Sequence, residues 1–218
     1  MKSMTPKHKK ALILSTVIFL TGFAVTAVYT FGLVSEREAA LAAAQNVMSL
    51  SSAICFLWSA VALYYIARVM EGEIAVAQVM LPITSMVTSV FIVVHLVCMV
   101  MGNFSAGMRR SLGIESYDIL DQIILTHPSL ESMINFMMVS IAGILAMMCA
   151  PCRAGTPCSG ERNRSIGKII IWVSVAAILD RFLNVSYWTG LANKPMGLVS
   201  LGMFILLGAG LMTVCRSR

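Results

Sequence analysis

Long stretches of this chain carry no charge at all. Ala11 to Val34, Ser132 to Cys149 and Met196 to Val214 contain no Asp, Glu, Lys, Arg or His, and Ile74 to Met101 contains a single histidine, His95. A helix needs about 20 predominantly apolar residues to cross a hydrocarbon layer roughly 30 Å thick. Inside that layer no water satisfies the backbone, so the helix is the structure that such a run dictates. Charged residues make up 12% of the chain and hydrophobic ones 58%, with a mean hydropathy of +0.85. A soluble domain of this size normally carries about twice that charged share.

The runs predict an all-α, polytopic integral membrane bundle of six transmembrane helices, a single domain over 1–218. Its spans fall at about 11–34, 45–69, 74–101, 132–149, 166–190 and 196–214. Within 102–131, the one long loop, Ile114, Tyr117, Leu120 and Ile124 recur at helical spacing, with Glu115, Asp118, Asp121 and Gln122 on the other face. That is the pattern of a short amphipathic helix lying on the membrane surface between spans three and four. The amino-terminal segment, with Lys2, Lys7, Lys9 and Lys10 ahead of an apolar run, has the outline of a signal peptide. The run is about twice the length of a signal core, and no small-x-small site ends it, so it reads as span one.

Basic residues orient the bundle. With six spans, eleven of the sixteen fall on the side of the termini: Lys2, Lys7, Lys9, Lys10, Arg68, Arg153, Arg162, Arg164, Lys168, Arg216 and Arg218. Arg37, Arg109, Arg110 and Lys194 fall on the opposite side, and Arg181 lies inside a span. The positive-inside rule then puts both termini in the cytoplasm, in a plasma or bacterial inner membrane. The net charge of +6 is accounted for by that placement and implies no nucleic-acid partner. The expected partners are the lipid bilayer and other membrane proteins or a second copy of the chain. The two halves share no motif, and no internal repeat is read.

Span five is the unusual one, with Asp180 and Arg181 side by side in an apolar stretch. Ionisable groups at such depth cost several kcal/mol each unless paired or wetted. Ser174, Arg181, Asn184 and Trp188 share a face, and Asp180 shares the neighbouring one with Asn184 and Tyr187. In span three, Thr84, Thr88, His95 and Cys98 form a polar stripe with Phe91 among them. His95 lies roughly 10 Å from the outer end of its span and Arg181 roughly 13 Å from the outer end of span five, at 1.5 Å per residue. The equal depths predict that Asp180, Arg181, Asn184 and His95 meet, with Asn135 joining from span four, and that span five is the centre of the bundle. Two roles follow: a substrate- or ion-binding cavity with Arg181 as anion anchor and Asp180 with His95 as a proton-responsive pair, or interhelical adhesion.

Cys149, Cys152 and Cys158 have a spacing that thiolate metal ligands or a redox pair would use. A closed zinc site needs a fourth ligand, and Cys215 is the one thiol that span six brings to the same side. Ordinary reduced cytoplasmic cysteines are the alternative. The histidines are scattered, which excludes a bis-histidine haem. No GxSxG, HExxH or P-loop occurs, so no cofactor and no catalytic residue is predicted. Small residues four apart mark packing seams at Ser51, Cys55 and Ser59 and at Ala142, Ala146 and Ala150, and Gly202, Gly208 and Gly210 in span six would let another helix approach. The functional classes that remain are small-solute or ion handling, an accessory subunit of a larger membrane complex, and a thiol or metal redox protein.

Overall fold

Apolar runs without proline or charge form helices wherever the backbone must satisfy itself. The computed structural model describes residues 6–35, 47–70, 74–112, 128–148, 158–183 and 196–214. They form six helices: α1 Pro6–Val34, α2 Leu50–Met70, α3 Ile74–Leu112, α4 Leu130–Met148, α5 Cys158–Leu183 and α6 Leu198–Val214. No strand occurs among the described residues. Four helices hold segments long and apolar enough to cross a membrane: Lys9–Gly32, Leu50–Met70, Ala75–Met101 and Leu130–Met148. The chain is all-helical and has the makings of a multi-pass membrane protein. Helix α6 is apolar but has 17 residues, and α5 carries Lys168, Asp180 and Arg181 along its apolar part.

Several boundaries differ from those in the sequence reading. Helix α2 begins at Leu50 rather than near 45, because Ser49 caps it. The Ser49 hydroxyl oxygen accepts from Ser52 N at 3.2 Å, and its carbonyl accepts from Ala53 N at 3.0 Å. Ser129 does the same for α4, at 3.3 Å from Ser132 N and 3.0 Å from Met133 N, so α4 starts two residues early. Helix α3 continues through 102–112, which the sequence assigned to the long loop; no proline stops it there, and a helix leaving a bilayer need not end at its surface. The amphipathic segment 114–124 lies outside the described residues. So does 184–190, the last part of span five. Helix α5 begins at Cys158, eight residues early.

The packing repeats three times. Helix α1 lies against α2 and α6, α3 against α4 and α2, and α5 against α6 and α4; α2 also packs on α4 and α6. The even-numbered helices therefore form the inner set. They meet at Phe56, Phe136 and Phe204, each fully buried, with ring centroids 4.6–4.8 Å apart. Each of these rings closes the same short motif, Leu-x-Ser-x3-Phe: Leu50–Phe56, Leu130–Phe136 and Leu198–Phe204. The carbonyls of Ser49, Ser129 and Gly197, one residue before each motif, all accept the first helical bond at 3.0 Å. A repeat does exist, in thirds rather than halves.

Span five is consequently not the centre. That place belongs to α2, which alone of the six touches α1, α3, α4 and α6 extensively. Helix α5 turns Trp172 (71% exposed) and Phe182 (78%) outward. Directions follow from paired positions. Ser15 donates to the Ala60 carbonyl and Tyr29 to the Met48 carbonyl, so α1 and α2 are antiparallel. Phe56 meets Phe204 and Leu63 meets Gly210, so α2 and α6 are parallel.

Two glycine contacts set how closely these helices approach. A Cβ on Gly208 would lie 2.7 Å from the Gly167 carbonyl oxygen, and one on Gly167 would lie 2.8 Å from that of Gly208. Gly197 replaces the capping serine because a Cβ there would sit 2.8 Å from the Val47 carbonyl oxygen. Gly202, by contrast, faces open space and marks no seam.

Candidate functional site

Several buried polar side chains, Ser49, Ser51, Ser52, Ser129, Ser132, Asn135 and Ser200, lie toward the end of the bundle at which α2, α4 and α6 begin, here the upper end. Five residues above Phe56 stands Ser51, and five above Phe136 stands Glu131, so the repeat sets these two at one level. His95 on α3 joins Ser51: its Nε2 lies 3.0 Å from the Ser51 hydroxyl, and its Nδ1 lies 2.8 Å from the Phe91 carbonyl. A carbonyl only accepts, so Nδ1 carries the proton in the neutral ring and Nε2 accepts from Ser51. The Phe91 ring packs on the imidazole at 4.2 Å. Below His95, Thr84 and Thr88 are buried and return their hydroxyls to their own helix, to the Leu81 and Thr84 carbonyls.

Asn135 makes the corresponding contact between α4 and α5. It is fully buried, and its Nδ2 donates to the Ser174 hydroxyl oxygen at 3.4 Å. The Ser174 hydroxyl is itself committed to the Ile170 carbonyl at 2.8 Å. Only an accepting Ser174 oxygen is left for Asn135, which fixes the orientation of the amide. Asn135 Oδ1 then has no donor. One helical turn above it, on the same face, half-buried Glu131 holds its Oε2 out of solvent and likewise without a donor.

Among the described residues no hydrogen bond or ion pair joins His95 to Asp180. His95 turns to α2 instead, and α4 packs between α3 and α5. Asp180 is half-buried on α5. Arg181 belongs to α5, but its side chain lies outside the described residues, as does Asn184 entirely. Cys149 and Cys152 lie outside them too, with Cys215, while Cys158 is the first residue of α5. Among the described residues no group of three His, Cys, Asp or Glu is placed to hold a metal. A groove of about 460 Å³ runs along α3 from Ile83 to His95 and is apolar except at the imidazole. Asn135 was legible as a buried amide, and Ser174 as part of a polar face. Glu131 was missed because it sat at the edge of a supposed loop; the Ser129-x-x-Ser132 cap was the signal that it opens a helix. Ser51 was read as a small packing residue, and nothing in its local sequence marks it as the partner of His95.

Comparison with protein-family models, with curated proteins and with solved structures returns no match to this chain.

Proposed function

We propose that this is a multi-pass membrane protein that handles a small solute or ion through the polar layer at its upper end. The observation that carries the reading is Asn135: fully buried, bonded across to Ser174, and left with an unused acceptor. A side chain that served only to join helices would be more cheaply met by a fully satisfied pair, since an orphaned buried acceptor costs about 1–3 kcal/mol. By the sequence pattern Arg181 and Asn184 share the face of Ser174 in span five, with Asp180 on the neighbouring face, and α4 lies between α5 and the helix that carries His95. The basic residues support an orientation with both termini in the cytoplasm, of a plasma or bacterial inner membrane, so this layer would open outward. The test is solvent access. A cysteine placed at Asn184 in a variant lacking the native cysteines should react in intact cells with a membrane-impermeant maleimide. Complete protection there would overturn the reading.

A second reading, an accessory subunit of a larger membrane complex, rests on α3. Its Val76, Val79, Met86, Val90, Val97 and Met101 all face outward, a surface that protein could cover as well as lipid. Mild-detergent extraction separates the two readings: a monodisperse lone protein would argue against a permanent complex. A thiol or metal function of Cys149, Cys152 and Cys158 would require bound metal or a reversible disulfide that Cys152→Ser abolishes.

A further inference from the structure

Glu131 Oε2, Asn135 Oδ1 and Ser174 Oγ make an unusual set. None has a hydrogen left to give in this direction. The carboxylate has none when ionised, the amide turns its NH2 to Ser174, and the serine hydroxyl is spent on Ile170. Two of the three oxygens are shut off from solvent without any donor. Asn135 and Ser174 are both 0% exposed. Glu131 and Asn135 are i and i+4 on one helix, which sets their Cβ atoms about 6 Å apart, and Ser174 faces Asn135 from α5. Two desolvated acceptors without donors, beside a serine oxygen whose one donor is Asn135 itself, call for a positive charge, and oxygen is what hard cations select.

We infer that Glu131, Asn135 and Ser174 form a cation site between α4 and α5, and that its ligand is a monovalent alkali ion of about the size of sodium. Charge decides the valence. One carboxylate neutralises one positive charge, whereas a divalent ion would leave a net charge in apolar surroundings, where it is costly. The size follows from two oxygen-bearing side chains on consecutive turns, whose reach suits a partly dehydrated ion rather than a bulky ammonium. The inference rests on the solute- or ion-handling reading and narrows it. The same layer binds a cation, rather than only the anion that Arg181 would attract.

The test uses the purified full-length protein in detergent and follows thermal unfolding in sodium, lithium, potassium and N-methylglucamine chloride at constant ionic strength. A saturable rise in Tm with sodium, absent with N-methylglucamine, is expected. Glu131→Gln keeps the volume of the side chain and should raise half-saturating sodium by on the order of tenfold to a hundredfold; Asn135→Ala should do the same. Equal stabilisation by all four salts would overturn the site. So would a sodium effect unchanged in Glu131→Gln. A stabilisation that follows pH alone and vanishes in Glu131→Gln would assign the position to a proton instead. Radioactive sodium uptake into proteoliposomes separates this inference from the reading beneath it. Saturable binding without uptake keeps the site and removes the transport role. Uptake of solute that is indifferent to sodium, with no binding, removes the site alone.

Discussion

Two asparagines, both fully buried, report opposite things. Asn135 spends its NH2 on Ser174 and keeps an acceptor in reserve. Asn163, near the start of α5, has neither amide atom bonded. A desolvated, unpartnered amide costs about 1–3 kcal/mol, so Asn163→Leu, of similar volume, should leave thermal stability unchanged or raise it. Asn135→Leu should lower stability, because it strands the Ser174 oxygen and removes an interhelical bond. Comparing the two Tm values in the same detergent checks both; a loss at position 163 as large as at 135 would contradict the assignment. Ser51→Ala deletes the bond that holds His95 to α2. Bonds between membrane helices contribute about 0.6 kcal/mol on average and rarely above about 1.7. A loss within that range is expected, with the imidazole left free to turn.

At the scale of the element, glycines separate packing from mere smallness. Gly208→Val would drive a side chain into the Gly167 carbonyl and Ile171. Overpacking of this kind typically costs about 1–3 kcal/mol, and the α5–α6 pair should loosen. Gly202→Val meets nothing within 4 Å and should stay within roughly 0.5 kcal/mol of the native protein. The pair is best read as unfolding midpoints measured side by side. The sequence could not make this distinction, because Gly202, Gly208 and Gly210 look alike until a neighbouring helix is placed. Helices themselves were legible, since absence of charge over a membrane's width leaves few alternatives. Their ends were less so. The caps at Ser49 and Ser129 depend on hydroxyls three or four residues from where the spans were read to begin, and α3 runs on past its apolar part without a signal. The pairing of Asp180 with His95 shows a related limit: similar depth says nothing about which helix stands between, and α4 packs between α3 and α5.

At the scale of the whole molecule, the described helices form three hairpins around three aromatic rings. No sequence property marks that arrangement, because the shared motif is one leucine, one serine and one phenylalanine in seven positions. It becomes visible once Phe56, Phe136 and Phe204 are seen in contact. Truncating one ring opens a cavity on the order of 100 Å³, worth about 2 kcal/mol at roughly 24 cal/mol per Å³. A second truncation enlarges a hole already made. Phe56→Ala with Phe136→Ala should therefore cost less than the sum of the singles, a coupling of about 0.5–3 kcal/mol that a double-mutant cycle would measure. Strict additivity would mean that the rings do not form one unit.

Helix α1 packs on both α2 and α6, the first and the last of the inner helices, so the ring is closed by its two ends. Synthesis runs from one to the other. Until residues 198–214 have left the ribosome, the α6-facing sides of α1, α2 and α5 have no mate, and Leu63 lacks the Gly210 on which it rests. Closure of the described bundle therefore waits on α6, and a chain stopped after Leu183 presents three open seams to cellular quality control. Steady-state abundance should accordingly fall far more on deletion of α6 than the loss of 17 apolar residues would suggest.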